Sequence, residues 1–334
     1  MIIADGQPEF GIWGGELSHL NITDYRRRAS SDLWLPMREK RWAYLNIASS
    51  DVLVGVAVVH AGIIGSAFCY VYDLNSGLMW EQERTAPFAK GFRVDRELQK
   101  GVVLYAAGRE RIRLNSDTDR GYRSLDVQLD NDGREIDIRV EIRDDNVCVK
   151  PHQVCRPTAD GDFTVTHKAA GLPLIGSVRI GNERYELAEG SFAGLDLSFG
   201  YPARETNWRW ASASGQSKCG SVIGINLVDP IASPDFHENV CWINGQSQSL
   251  GPVTFAIPEH PGREPWTLSS VGADYELNLT FKPLGMREQQ TNLMVLSADF
   301  KQPFGHFTGV LHTQQGKYEL HNIPGVVEDH SARW

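Results

Sequence analysis

The stretch ETNWRWASASG, Glu205–Gly215, places two tryptophans one residue apart and follows them with a run of Ala, Ser and Gly. Alternate side chains of a β-strand share a face, so Trp208 and Trp210 would lie on the same face as Ser212 and Ser214. That face is bulky and aromatic at one end and has only small side chains at the other. Such a taper is typical of the inside of a barrel that leaves room for a ligand. The segment therefore predicts a strand that faces a cavity.

Alternation of apolar and polar residues dominates the chain from Arg41 onward. The runs are short, rich in β-branched and aromatic residues, and separated by Gly, Asn and Asp turns. The fold class is therefore predicted to be all-β. Helical periodicity is scarce, and the best helix candidate is Thr23–Leu33. We find no repeat at a fixed short period, which disfavours a propeller or a solenoid.

The length of 334 residues exceeds the usual size of a single core. Two domains are the first expectation, although one large β-barrel stays open. The segment Pro151–Gly161 contains two prolines among polar residues and is the candidate junction. The predicted division is into residues 1–155 and residues 156–334.

The segment Val52–Tyr72 is apolar and long enough to resemble a membrane helix. It is rich in β-branched residues, however, and a turn sequence, His60-Ala61-Gly62, lies at its centre. We therefore expect two buried strands here and no integral membrane segment.

Composition and charge exclude several classes of partner. The chain is 41% hydrophobic and 22% charged with a net charge of -9, which is typical of a globular protein and disfavours nucleic acid as a partner. The one basic cluster, Arg26–Arg28, is interpreted as a solvated or salt-bridging face. The expected partner is a hydrophobic small molecule, and the oligomeric state stays open.

The five cysteines are odd in number and form no CxxC pair, which fits neither a disulfide framework nor a zinc knuckle. The N-terminal sequence MIIADGQPEFGIWGG lacks a basic region followed by an apolar one, so no secretory signal is visible. The expected location is the reducing cytoplasm.

Several common catalytic motifs are absent from the sequence: a GxGxxG after a strand, GxxxxGK[ST], HExxH and GxSxG. The ten histidines show no tight ligand spacing beyond the pair His306 and His312. We therefore expect neither a bound metal nor a cofactor.

Asp196 lies within an apolar strand, in SFAGLDLSFGYP, just before a Gly-Tyr-Pro turn. A carboxylic acid in an apolar cavity has a raised pKa and can hold a proton near neutral pH, which makes it a candidate general acid. Alternatively, Asp196 caps the turn or pairs with Arg204 or Arg209. His167 and Lys168 are similarly ambiguous, because each could face a pocket or end a strand.

Several runs of the sequence resemble the bacterial family known as domain of unknown function 2804. The resemblance extends from about Arg41 to Trp334. The runs that carry it are KRWAYLNIASSDVLVGVAVVHAGIIGSAFCYVYDLNSG, THKAAGLPLIGSVRIG, LDLSFGYPARETNWRWASASG, ENVCWINGQSQSLGPVTF, PWTLSS, FGHFTGVL and GVVEDHSARW.

That family in turn is similar to the lipocalin-like calycin group, which includes carotenoid 1,2-hydratases and certain fungal Diels–Alderases. The resemblance implies two lipocalin-like β-barrel or twisted β-sandwich halves and a large apolar substrate in a β-walled cavity. It also implies an aspartic acid that protonates an alkene. Asp196, upstream of Trp208 and Trp210, is the residue placed to correspond.

The sequence supports two hypotheses about function, an enzyme and a non-catalytic carrier. The first is a cofactor-independent hydratase, isomerase or cyclase acting on a terpenoid- or steroid-like substrate. In it, Asp196 donates a proton, His167 relays protons or positions water, and Trp208 and Trp210 shield the cation. The other candidate substrate contacts are Tyr201, Asn207, Arg209 and Lys168.

The second hypothesis is a non-catalytic carrier that uses the same cavity. A third possibility is that the tryptophans close a packed core and that any site lies at the junction between the halves.

Overall fold

The computed structural model describes residues 1–26, 35–143, 148–231, 233–293 and 296–333. Within these ranges nearly every element is a strand, and the strands form two curled sheets, so the predicted all-β fold of two halves is confirmed. The described helical elements are a 3-10 turn at Ile22–Asp24, another at Thr118–Arg120, and the four-residue helix α1 at Leu35–Arg38. Most of the predicted helix Thr23–Leu33 lies outside the described residues.

Sixteen of the described strands precede Tyr201. They are β1 (Ile3–Ala4), β2 (Gln7–Pro8), β3 (Gly11–Trp13), β4 (Lys40–Ala48), β5 (Val52–His60), β6 (Ile64–Asp73), β7 (Met79–Pro87), β8 (Phe92–Val94), β9 (Val102–Ala107), β10 (Glu110–Asp117), β11 (Tyr122–Asn131), β12 (Arg134–Arg143), β13 (His152–Pro157), β14 (Phe163–Ile180), β15 (Glu183–Leu187) and β16 (Phe192–Gly200).

The remaining strands follow Arg204. They are β17 (Glu205–Gln216), β18 (Val222–Asp229), β19 (Val240–Ile243), β20 (Gln246–Ser249), β21 (Thr254–Ala256), β22 (Trp266–Val271), β23 (Tyr275–Leu293), β24 (Leu296–Thr313) and β25 (Gly316–Arg333).

Among the described residues, the first sheet has fourteen strands and the second has nine. The main path of the first sheet is β7-β6-β5-β4-β16-β14-β12-β11-β10-β9-β8, with β13 and β15 beside β14 and β3 beside β13. The order of the second is β20-β19-β18-β17-β25-β24-β23-β22-β21. Strands β1 and β2 form a separate pair.

The long strand β14 links the two parts of the first sheet. Its register shifts between Ala170 and Leu172, at Gly171, which has a φ of +77°. Glycine tolerates this backbone conformation because it has no Cβ. Before the shift β14 pairs with β13, and after it β14 pairs with β12. The bend therefore lets one strand serve both parts of the sheet.

Three hydrophobic clusters make up the core. One fills the first curled sheet and another fills the second. The third lies where the two sheets face each other, and it includes Tyr44, Phe68, Tyr70, Trp210 and Phe304. The two halves therefore share an aromatic interface.

The predicted pair of strands in Val52–Tyr72 is confirmed, since β5 and β6 pair antiparallel on either side of the turn at Ala61. No described helix is long and apolar enough to span a membrane. The five cysteines are free thiols.

Several strands are longer than the alternation pattern predicts. The sequence predicts separate strands at Phe163–His167 and Ile175–Ile180, but both belong to the 18-residue strand β14. Similarly, Tyr275–Phe281 is the start of the 19-residue strand β23, and His306–His312 is the end of β24. The predicted strands are too short in β14 and β23 because register shifts at Gly171 and at Pro283–Gly285 interrupt the alternation without ending the strand.

The change from the first sheet to the second falls between Gly200 and Glu205. The predicted division after Cys155 falls inside β13, which pairs with β14 of the first sheet. The division into domains of residues 1–155 and 156–334 stays a prediction.

Candidate functional site

A cavity of about 760 Å³ lies between the two sheets. Strands β4, β5, β6, β7, β14 and β16 of the first sheet line one side, and β17, β24 and β25 of the second line the other. Most of its wall is apolar. The aromatic residues in the wall are Trp42, Tyr44, Phe68, Trp208, Trp210 and Phe300.

Trp208 and Trp210 both face this cavity, as their alternation on β17 predicts. Trp210 is 4% exposed and packs edge-on against Tyr44 at 5.5 Å between ring centroids. Its Nε1 donates a 2.8 Å hydrogen bond to Asn226 Oδ1. Trp208 stacks on the His330 ring at 4.0 Å. The two indoles are thus held in fixed orientations on one wall.

The small residues after the tryptophans are not part of the cavity wall, which corrects the expectation that they form its floor. Ser214 Oγ instead accepts a 2.9 Å hydrogen bond from the Gly171 amide and donates one of 3.2 Å to the Ala193 carbonyl. On the next strand, a Cβ on Gly224 would lie 2.4 Å from the Ala170 carbonyl oxygen. The small side chains therefore let the sheets touch, while the tryptophans hold them apart and leave the cavity between them.

A buried ion-pair cluster lies on one side of the cavity. Lys168 on β14 and Asp196 on β16 are directly paired residues of the sheet, and their side chains form an ion pair. Ser198 Oγ donates a 3.0 Å hydrogen bond to the other oxygen of Asp196. Lys168 Nζ also lies 3.2 Å from Glu238, whose second oxygen is 3.0 Å from Arg156 Nε. Two cations and two carboxylates therefore alternate along the cluster.

Burial and the neighbouring charges shift the pKa values of this cluster in opposite directions. Burial raises the pKa of Asp196, and the ammonium of Lys168 opposes that rise. Burial lowers the pKa of Lys168, but Asp196 and Glu238 outweigh this effect and hold it above its ordinary value. For Glu238, the two neighbouring cations outweigh burial and lower the pKa. The pairing favours charged forms for Lys168 and Glu238.

Glu328, on β25 directly opposite Trp210, supplies a further carboxyl group to the cavity wall. It is 8% exposed, and its hydrogen-bond donors are Trp208 Nε1 at 3.1 Å and Gln302 Nε2 at 2.6 Å. Burial raises the pKa of Glu328 to about 7, although both donors lower it. The charge of Asp196 raises it as well. A substantial fraction of Glu328 is therefore protonated near neutral pH.

Gln302 fixes the orientation of this carboxyl group. Its amide oxygen accepts hydrogen bonds from the hydroxyls of Tyr70 at 3.1 Å and Tyr44 at 3.3 Å, so its nitrogen is turned toward Glu328. Gln302 is fully buried. Burial also raises the pKa of both tyrosines, which stay neutral donors.

His330 is a third titratable group in the cavity wall. Burial lowers the pKa of His330 to about 4, so the imidazole is neutral at pH 7. Neither ring nitrogen has a hydrogen-bond partner among the described residues. The ring packs between Trp208 and the edge of Phe300, which is 5.4 Å away between centroids.

Arg287 closes the cavity near β7. The guanidinium is 1% exposed and lies 4.0 Å from the Phe68 ring centroid and 5.3 Å from that of Phe300. It forms ion pairs with Glu81 at 2.7 Å and with Glu83 at 2.9 Å. This arginine of the second sheet is therefore tied to the edge of the first.

Two of the predicted site residues, His167 and Tyr201, are buried away from the cavity. His167 is next to Lys168 on β14 and so points to the opposite face, where Gln153 Nε2 lies 3.0 Å from its Nδ1. Burial and the charge of Arg123 lower the pKa of His167 to about 3. Tyr201 packs against Tyr25 at 5.5 Å and is buried. Neither position supports a direct role in this cavity.

Of the other predicted site residues, some line the cavity and one points away from it. Lys168 and Asp196 line the cavity, and so does Asn207, near the exposed start of β17. Arg209 points outward and pairs with Asp229 at 2.9 Å. The alternative pairing of Asp196 with Arg209 is thus wrong.

Four residues around the cavity are not predicted as site residues from the sequence: Glu328, Gln302, Glu238 and Arg156. For Glu328 a signal was present, because GVVEDH places Val326, Glu328 and His330 on one strand face, so that a carboxyl group follows an apolar residue. The same reasoning that selected Asp196 applies there. The other three become recognisable only through their contacts.

Comparison with solved structures finds the same fold at low identity. CghA has a TM-score of 0.58 and is 12% identical, with 87% of each chain covered. CghA with Sch210972 also has a TM-score of 0.58 at 12% identity, with 88% of each chain covered. Kievitone hydratase from Nectria haematococca has a TM-score of 0.52 at 12% identity, with 96% of this chain and 97% of that chain covered.

No curated protein matches the sequence. The family model for the domain of unknown function DUF2804 matches residues 4–334, nearly the whole chain. The resemblance stated from the sequence runs is confirmed, and the chain belongs to the DUF2804 family.

Proposed function

We propose that the cavity between the sheets binds an apolar small molecule and that the protein is a cofactor-independent hydratase, isomerase or cyclase. The observation that carries the proposal is Glu328, a buried carboxyl group in an aromatic wall, with its pKa raised to about 7. An acid with a pKa near the working pH is suited to proton donation. A terpenoid- or steroid-like skeleton fits the size and the apolar wall.

Glu328 is a better proton donor than Asp196, the acid expected from the sequence. Burial raises the pKa of Asp196 as well, but Asp196 is ion-paired with Lys168, whose ammonium opposes that rise. The hydrogen-bond donors of Glu328 are neutral, and it forms no ion pair among the described residues. Two carboxyl groups in different environments can divide their roles. We assign proton donation to Glu328 and stabilisation of positive charge to the Asp196 carboxylate.

The reaction begins with transfer of the Glu328 proton to one carbon of a double bond. The π electrons form the new C–H bond and leave a cation on the neighbouring carbon. The faces of Trp208 and Trp210 stabilise that cation. In a hydratase, water then adds to the cation and its extra proton returns to the Glu328 carboxylate. In an isomerase, the Glu328 carboxylate instead takes a proton from a neighbouring carbon, and the electrons of that C–H bond form the new double bond. In a cyclase, a second double bond of the substrate attacks the cation to close a ring, and the Glu328 carboxylate then takes a proton from a carbon beside the new cation.

The structural neighbours support this class of reaction only through the name of one of them, since kievitone hydratase is called a hydratase. The chemistry of the cavity wall is the stronger support.

The test is deuterium transfer from solvent. Apolar extracts are incubated with the protein in D₂O, and mass spectrometry identifies compounds that gain deuterium. We expect Glu328→Gln to reduce the rate by about 10²- to 10⁴-fold, because the amide donates no acid proton. Asp196→Asn is the matched control, and under this assignment its effect is smaller.

Two outcomes decide against the proposal. If Asp196→Asn abolishes exchange and Glu328→Gln does not, the acid is Asp196. If ligands copurify and are released unchanged, with no deuterium gained, the protein is a carrier.

A further inference from the structure

The cavity wall contains threonine hydroxyl groups that have no hydrogen-bond partner in the described parts of the chain. Thr164 and Thr166 are 6% and 3% exposed and line the cavity from β14. Neither side-chain oxygen has a hydrogen-bond partner among the described residues. The hydroxyl of Thr158, also in the cavity wall, likewise has no hydrogen-bond partner among these residues. Buried polar groups are usually hydrogen-bonded, so three such hydroxyls in one wall need an explanation.

The strand geometry places these threonines beside the ion-pair cluster. Thr164, Thr166 and Lys168 alternate along β14 and so share one face. Thr166 is directly opposite Ser198 on β16, as Lys168 is opposite Asp196. A strip of hydroxyl groups therefore continues from the charged cluster along the cavity wall.

The charges of the cluster determine which polar group fits beside it. Lys168 and Arg156 are balanced by Asp196 and Glu238, so no net charge is left for an ionic ligand group. Moving a carboxylate or an ammonium from water into this wall would be costly without a counter-ion. A neutral hydroxyl or carbonyl oxygen can instead bond to threonine hydroxyls, which both donate and accept.

We propose that the ligand is an oxygenated apolar molecule whose uncharged hydroxyl or carbonyl group binds at Thr164 and Thr166. This inference rests on the proposed function of the cavity and names its ligand class. The aromatic wall receives the hydrocarbon skeleton and the threonine strip receives the oxygen. Rotation about the Cα–Cβ bond moves a threonine hydroxyl among three staggered positions, which lets either residue turn its hydroxyl to the ligand.

The test compares naphthalene, 2-naphthol and 2-naphthoate as probes in equilibrium dialysis. We expect the full-length protein to bind 2-naphthol about two- to tenfold more tightly than naphthalene, which is the range of one net hydrogen bond. The carboxylate should bind more weakly than the naphthol. Thr164→Val and Thr166→Val together should remove the preference for naphthol over naphthalene. The matched variants Thr164→Ser and Thr166→Ser should keep it.

A second readout needs no ligand. Because the two hydroxyls have no hydrogen-bond partner among the described residues, the valine substitutions should raise the Tm of the ligand-free protein relative to the serine ones. A fall in Tm would show that the hydroxyls are bonded within the protein and would overturn the inference.

The outcomes also separate this inference from the proposed function. Equal binding of naphthalene and 2-naphthol, or a preference that survives in folded valine variants, overturns the ligand class alone. If none of the probes binds, and deuterium exchange is also absent, then the cavity is not the functional site and both proposals fail.

Discussion

Trp208 donates the hydrogen bond from its indole Nε1 to Oε2 of Glu328 at 3.1 Å, so the residue that lines the aromatic wall also holds the candidate acid. This bond favours the carboxylate and lowers the pKa of Glu328 against the effect of burial. The two residues belong to neighbouring strands, β17 and β25, which pair antiparallel. The tryptophan therefore adjusts the acid as well as shaping the cavity.

Replacing Trp208 with phenylalanine keeps an aromatic ring but removes this donor. We expect the pKa of Glu328 to rise further, by up to about one unit for the loss of one hydrogen bond. The measurement is an infrared titration of the carboxyl band, with the Glu328→Gln variant to assign it. The matched control is Trp42→Phe, a cavity tryptophan that is not a donor to Glu328. An unchanged titration in Trp208→Phe would contradict the role assigned to the indole.

Protonation of Glu328 should make stability depend on pH. Its pKa rises from 4.5 in the unfolded chain to about 7 in the folded protein, so the folded state binds more protons in between. The contribution to the free energy of unfolding is therefore fully present below about pH 4.5 and is lost as the pH rises through 7. The size is on the order of 3 kcal/mol.

His330 acts in the opposite direction, because its lowered pKa makes stability fall as the pH drops from 6.5 toward 4. The measurement is therefore the difference between wild type and Glu328→Gln in urea unfolding from pH 5 to pH 8. We expect the wild type to lose stability relative to the variant across this range. A constant difference would show that Glu328 is ionised throughout.

Removing the central cation of the buried cluster should be more damaging than removing one of its carboxylates. Lys168→Met leaves both Asp196 and Glu238 without their shared ammonium, which should cost about 3–5 kcal/mol in the free energy of unfolding. Asp196→Asn leaves the Lys168–Glu238 pair intact and should cost less. Urea denaturation of the two variants checks the order, and equal losses would contradict it.

Fragments of the chain test the division into folding units. Residues 1–155 lack β14 and β16, which connect β4 to β12 in the first sheet. We expect this fragment to show no cooperative unfolding transition, whereas a fragment of residues 1–200 retains every described strand of that sheet. Circular dichroism during thermal unfolding makes the comparison. A cooperative transition in residues 1–155 would support the division predicted from the sequence.

Much of the strand content could be predicted from the sequence, because alternation and turn residues are local signals. The pair of strands in Val52–Tyr72 and the cavity face of Trp208 and Trp210 follow from them directly. Alternation also shows that the adjacent residues His167 and Lys168 face opposite sides of β14, so only one of them could have entered the cavity.

The rest of the site depends on contacts between distant parts of the chain. Glu328 meets Trp208 only because β25 pairs with β17, and Lys168 meets Glu238 only where the sheets approach each other. No local pattern encodes those pairings. The prediction that the small residues of β17 line the cavity is wrong for the same reason, since Ser214 accepts a hydrogen bond from Gly171 of the other sheet.

The position of Glu238 makes the ion-pair cluster a connection between the two sheets. Glu238 follows β18 of the second sheet, while its two cations, Arg156 and Lys168, belong to β13 and β14 of the first. The carboxylate therefore joins the two sheets through ion pairs at the wall of the cavity. A change in the charge of Glu238 would weaken the contact between the sheets as well as altering the cavity wall.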